Sequence, residues 1–182
     1  MFDGSKQFDN VYDGADLRRS VNYRAVNVNA ASYQLKKYKG KGTSTNLLND
    51  IKVFRTSEIK LILAECKARN GDLTGAAADV RDLRALRIAP TVPLPVYANL
   101  NAALTDILLE RRKEFAFEGH RYLDIKRIGA EINVGINRDP SDAASFAADV
   151  ALSPTDYRFT LPIPQTEIFA NPTIQQNPGY NQ

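Results

Sequence analysis

The stretch TSEIKLILAECKARNGDLTGAAADVRDLRALR, residues 56 to 87, limits the possible folds most, because it writes two helices and the turn between them in one line. Ile59, Ile62, Leu63 and Cys66 recur at the spacing of one helix face, while Glu58, Lys60, Glu65, Lys67 and Arg69 mostly take the remaining surface. That spacing predicts an apolar packing stripe with Cys66 inside it as a small core residue. Gly71 supplies a left-handed stop, and Asp72 is placed to cap a second helix. In that helix Leu73, Ala76, Ala77, Val80, Leu83 and Arg84 follow the same period, and Ala76, Ala77 and Ala78 keep it slim enough for the first helix to approach closely. The expectation is an antiparallel pair of the tetratricopeptide type, and one such pair cannot bury both its faces without neighbours.

A third helix follows a loop made certain by Pro90, Pro93 and Pro95. Asn101 is the expected cap, and Leu104, Ile107, Leu108, Arg111 and Phe115 form its stripe. A break is expected at Gly119, then a short helix carrying Tyr122, Ile125 and Ile128. Outside these helices the period disappears. Residues 1–53 read as irregular structure with short strands near 23–29 and 33–38. Beyond 129, RDPSDAASFAADVALSP reads as a surface excursion. An extended segment, one helical turn after Pro164 and a proline-punctuated tail follow. The fold class expected is mainly α, tetratricopeptide-like helix pairs of the α-α superhelix type with large irregular, loop-rich regions. A 43% hydrophobic chain of 182 residues can bury a real core.

Charge narrows the function. The net charge is only +3, and the excess lies at the front: residues 1–55 carry ten Lys and Arg against five Asp, whereas 129–182 carry two Arg against six acids. Lys36, Lys37, Lys39 and Lys41 around Tyr38 account for most of it, and they read as a solvated edge because no nucleic-acid motif accompanies them. The single cysteine forbids an internal disulfide, and says little about redox compartment. No stretch reaches the roughly 18 apolar residues of a membrane span, and MFDGSKQ has neither the basic start nor the apolar run of a signal peptide.

The densest chemistry is ERRKEFAFEGHRYLDIKR, residues 110–127, with ten charged and three aromatic residues and the only histidine. His120 and Asp124 are four apart, but zinc requires three or four protein ligands and the chain has no second histidine. Glu110, Glu114 and Glu118 recur every four residues, yet Arg111, Arg112, Lys113 and Arg121 lie close in sequence. Carboxylates beside guanidiniums stay ionised, which is the wrong tuning for a general acid. Ion pairing between helices is the better reading, with Arg111 on the apolar stripe bringing an acid from a neighbouring helix. No phosphate loop or nucleophile elbow appears, and Cys66 lacks the electropositive setting of a nucleophile. No enzyme activity, catalytic residue, metal site or cofactor is expected.

The helix pair at 55–87, then ILLERRKEFAFEGHRYLDIKRIG, then LPIPQTEIFANPTIQQNPGY resemble, in that order, the C-terminal half of SusD/RagB family proteins. The E-R-R-x-E-x-x-x-E-G-H-R-x-x-D-x-x-R string with the terminal I-P-x-x-E and Q-N-P-G-Y is the specific part. The resemblance implies a C-terminal region over 1–182, in which 1–53 is a loop-rich lead-in with short strands, 54–128 a helical core and 129–182 an irregular C-terminal segment. It also implies a lipoprotein at the surface of the cell outer membrane that binds nutrients, especially glycans, and delivers them to a SusC-like TonB-dependent transporter. This portion would then serve as helical scaffold, with a lipid anchor as the one membrane attachment. That anchor and the family's N-terminal half would lie outside this chain. Ligand-binding residues stay unassigned: Tyr12, Tyr23, Tyr33, Tyr38 and Tyr97 sit in non-helical segments, where half-buried tyrosines with wet hydroxyls are the ordinary case. The alternative in another class is a helical-repeat adaptor that binds a partner protein.

Overall fold

The computed structural model describes residues 8, 10–27, 32–38, 40, 49–88, 91–137, 151–171 and 173–180. Lys39, Lys41, Pro90 and the excursion at 138–150 lie outside them. The molecule is mainly α-helical. Helix α1 (Leu17–Asn22) leads into strands β1 (Tyr23–Asn27) and β2 (Ser32–Leu35), which pair antiparallel. Helices α2 (Thr56–Arg69), α3 (Leu73–Ala85) and α4 (Leu100–Glu114) follow, then α5 (His120–Asp124). A wide π-helical turn (Ile125–Gly129) joins α5 to α6 (Ala130–Ile132). Strands β3 (Ile136–Asn137) and β4 (Ala151–Leu152) form a second small ribbon, and a single 3-10 turn (Tyr157–Phe159) and helix α7 (Gln165–Ala170) close the described chain.

The hairpin between α2 and α3 forms as its turn chemistry dictates. Gly71 takes φ +86°, and the Asp72 carboxylate accepts the Gly75 N–H at 2.8 Å. Helix α2 packs on both α3 and α4, around a core of Leu61, Ala64, Ala68, Ala76, Val80, Leu83, Ala103, Ile107 and Phe115. The predicted stripe of α4 is buried throughout, with Leu104 and Ile107 fully enclosed.

The expected face of α2 is wrong. Ile59, Ile62, Leu63 and Cys66 are exposed, and Ser57, Leu61, Ala64, Glu65 and Ala68 face the core. The physical reason lies in the partner: Ala76 and Ala77 on α3 leave room only for a close approach, which Ala64 and Ala68 allow and a row of branched side chains does not. Two boundaries also move. Asn99, not Asn101, caps α4, its side chain accepting from Ala102 N at 2.9 Å. The break begins at Phe115, before Gly119, and Phe117 and Gly119 both take positive φ, +63° and +85°. Helical structure then runs on to Ile132. Helix α1 falls inside the lead-in read as irregular. Its buried residues are Arg18 and Asn22, while Leu17 and Val21 are exposed, so it has no apolar period to read.

Candidate functional site: a charged seam and its clefts

Glu110 and Glu114 occupy one face of α4, and Glu118 follows in the turn after it, all three pointing at the lead-in and the end of α3. Glu110 is fully buried and accepts from Arg18 at 2.6 Å and from Arg84 at 2.7 Å. Glu114 accepts from Arg55 at 2.9 Å, from Arg87 at 2.8 and 3.0 Å and from Arg18 at 3.1 Å. Arg55 also reaches Glu118 at 3.1 Å, and Lys37 ion-pairs with the same carboxylate. Asp16 completes the seam by accepting twice from Arg18, at 2.9 and 2.7 Å. Burial alone would raise the Glu114 carboxyl, but hydrogen bonds from Arg87 and Arg55 outweigh it and hold the group down to about 2. The Arg18 guanidinium is raised in turn, because its bonds to Asp16 and Glu110 outweigh its own burial.

Both oxygens of Glu110 and of Glu114 are engaged by guanidinium donors, and Glu114 is held in its ionised form, which is the wrong tuning for a general acid. These acids were expected to pair between helices, and they do. Their partners, however, are Arg18, Arg55, Arg84 and Arg87 from distant parts of the chain, not the neighbouring Arg112 and Arg121. Arg84 alone of the four falls on a stripe that the spacing marks; Arg18, Arg55 and Arg87 do not. Lys37 corrects the solvated-edge reading: its ammonium is largely buried and donates to the Ala116 carbonyl at 2.8 Å. Arg111 behaves as expected, its Nε lying 2.8 and 2.9 Å from the two oxygens of Asp124, both side chains only 6% exposed.

That pairing decides the fate of His120. Asp124 is committed to Arg111, and the His120 ring instead lies 4.7 Å from Phe115, with Nδ1 3.6 Å from Glu58 Oε1. Among the described residues no three His, Cys, Asp or Glu side chains gather as a metal cage.

Tyr12, Tyr38 and Tyr97 are equally occupied, and the Tyr33 side chain lies outside the described ones. Tyr12 is buried, donating to Lys113 O at 3.0 Å and accepting from Asn22 at 2.8 Å; burial raises its phenol well above the ordinary value. Tyr23 is buried. Tyr38 donates to Phe117 O at 3.1 Å, with the Lys52 ammonium 5.0 Å above its ring. Tyr97 donates to Asp106 at 2.8 Å. Phe115 is core, as expected, and Tyr122 is half-buried, its ring 5.8 Å from Phe159 and its hydroxyl donating to Phe159 O. Clefts border the seam: about 350 Å³ beside Arg55, Arg87 and Glu114, about 390 Å³ between Glu58, Cys66 and His120, and about 550 Å³ under the proline loop at Tyr97.

Among the described residues no helix is long and apolar enough to cross a membrane. No curated protein matches the chain. Solved structures do. A SusD superfamily protein from Bacteroides thetaiotaomicron VPI-5482 is 32% identical with a TM-score of 0.76, covering 97% of this chain and 40% of its own. A candidate sugar-binding protein from Bacteroides vulgatus ATCC 8482 is 26% identical with a TM-score of 0.73, covering 97% and 39%. A SusD-like carbohydrate-binding protein from the same organism is 28% identical with a TM-score of 0.60, covering 76% and 29%. The chain thus spans two-fifths or less of the length of these relatives. The SusD family model matches residues 4–180, nearly the whole sequence, and the chain belongs to the SusD family.

Proposed function

We propose that this chain is the helical scaffold of a carbohydrate-binding protein that collects glycans at the outer-membrane surface and passes them to a SusC-like TonB-dependent transporter. The observation that carries the reading is membership of the SusD family, a family of binding proteins rather than enzymes, with relatives described as sugar- or carbohydrate-binding. The committed state of Glu110, Glu114 and Glu118 supports it, since carboxylates locked by guanidiniums hold elements together and do no acid-base work. On this reading 1–182 is a C-terminal region, with a lead-in over 1–53, a helical core over 54–128 and an irregular segment over 129–182. A lipid anchor elsewhere in the protein would be the attachment to the membrane.

Calorimetry against a panel of oligosaccharides, with products followed by chromatography, tests the reading. Binding without turnover is the expected outcome, together with co-purification of a TonB-dependent transporter from native membranes. Hydrolysis of any panel member, or failure to bind every one, contradicts it. Exposed Ile59, Ile62 and Leu63 on α2 favour a second reading, a helical adaptor for a protein partner. Co-purification of a soluble protein in place of the transporter would select that one.

A further inference from the structure

Helix α2 turns its alanine row to α3 and α4 and leaves Ile59, Ile62 and Leu63 61%, 45% and 46% exposed, with Cys66 open beside them. These four lie at i, i+3, i+4 and i+7, so they form one continuous helix face. A second element extends it. Leu123, 63% exposed on α5, lines the same cleft of about 390 Å³ as Ile62 and Cys66. Apolar side chains of two elements therefore converge on one concave surface that stays open among the described residues.

What can seat there is limited by the charge of the cleft. Its walls carry Glu58, Glu65 and Asp124 against Arg69, Arg111 and Arg127, three acids to three guanidiniums. The arginines are paired within the molecule: Arg111 with Asp124 at 2.8 Å, Arg127 and Arg69 with Glu65 at 2.8 and 2.9 Å, and Arg69 also with Glu131 at 2.8 Å. The cleft beside Arg55 and Arg87 differs, setting Arg18, Lys37, Lys52, Arg55 and Arg87 against only Glu114 and Glu118. Balanced, internally paired charge gives an incoming acid or base nothing to select, so the α2 face discriminates by apolar contact. Ile59, Ile62, Leu63 and Leu123 make a short patch beside the roughly 20–30 residues a side of a stable interface between free proteins. A tethered occupant, held at high local concentration, needs far less.

We propose that this face is a joint within the polypeptide: the apolar row of a further helix pair, from the part of the protein that precedes this chain, packs on Ile59, Ile62 and Leu63 and sets a side chain into the cleft against Leu123. A tetratricopeptide-like pair buries its second face by stacking on a neighbour, and this chain spans two-fifths or less of its relatives' length, which leaves ample sequence to supply one. The inference rests on the reading of 1–182 as a C-terminal region, and it gives to an intramolecular neighbour the apolar row that otherwise favours an adaptor.

The test is labelling of Cys66 by an aromatic disulfide reagent, without denaturant, in the 182-residue chain and in the purified product of the whole reading frame. The short chain should label freely, and the longer protein at least about tenfold more slowly, because the reagent must wait for the joint to open. In the longer protein Ile62→Gln with Leu123→Gln should return labelling to the rate of the short chain. In the short chain the same two changes should leave the urea midpoint where it was, since both side chains are exposed there. Equal labelling at the two lengths would overturn the joint while leaving 1–182 a C-terminal region, whereas a reading frame that encodes no further helix pair would overturn both. Protection found only with the transporter bound, or only in a dimer of the longer protein, would assign the face to another chain and overturn the proposal. Oligosaccharide calorimetry scores the carbohydrate reading separately.

Discussion

Arg111 sits on an apolar stripe because Asp124 comes to meet it from the far side of the turn, and neither side chain has water to fall back on. Arg111→Leu strands a buried carboxylate and should lower unfolding free energy by on the order of 3 kcal/mol in urea melts. Adding Asp124→Leu should restore much of that loss, since the orphaned charge, more than the missing bond, is the penalty. The need for a partner was legible at Arg111 because a guanidinium on a packing face must bring one. Arg84, on the stripe of the second helix, carries the same signal, whereas Arg18 and Arg87 lie on no packing face that the sequence marks. Cys66 shows the opposite failure: its spacing matched a core stripe, but its neighbours on α3 were too small to need it. Its thiol is exposed, so it should react fully with an aromatic disulfide reagent in the native protein without denaturant. A thiol silent until unfolding would return it to the core.

At the scale of the element, helix α2 tests how a face is chosen. Its richer apolar row lies outward, and its alanine row meets α3 and α4. Leu61→Ala, at a fully buried position, should cost about 2–5 kcal/mol by denaturant unfolding. Ile59→Ala, at a 61% exposed position, should stay within about 0.5 kcal/mol. Reversal of those magnitudes would show that the stripe faces the core after all. Turns were the most readable elements, because Gly71 and Asp72 carry their reasons in their own chemistry: positive φ for one, a capping carboxylate for the other. Helix α1 was the least readable, since its buried side chains are polar and their partners lie on a helix some ninety residues further on.

Across the whole molecule the seam ties the front of the chain to its centre. Arg18 and Lys37 from the lead-in, Arg55 before α2 and Arg84 and Arg87 at the end of α3 converge on the acids of α4 and the turn after it. Stability should therefore depend on acid. A carboxyl held below its unfolded value contributes stability that is complete above the unfolded pKa and disappears as pH falls through the folded one. For Glu114 that window runs from about 4.5 down to about 2, and Glu65 and Asp79, also lowered although burial opposes it, act in the same direction. Urea midpoints measured between pH 7 and pH 2 should be flat at first and then decline below about 4.5. The family string was readable because the seam needs its acids and helix-breaking glycine at fixed spacings. Its function was not, because a saturated charge network records what holds the fold together and says nothing of what the fold holds.

The most direct measurement is the unfolding free energy of Glu114→Gln at neutral pH, where one uncharged amide replaces the carboxylate shared by Arg18, Arg55 and Arg87. A loss of about 3 kcal/mol or more is predicted, from cations left buried without a counter-charge. A variant as stable as its parent would contradict the claim that these acids hold the helices to the lead-in.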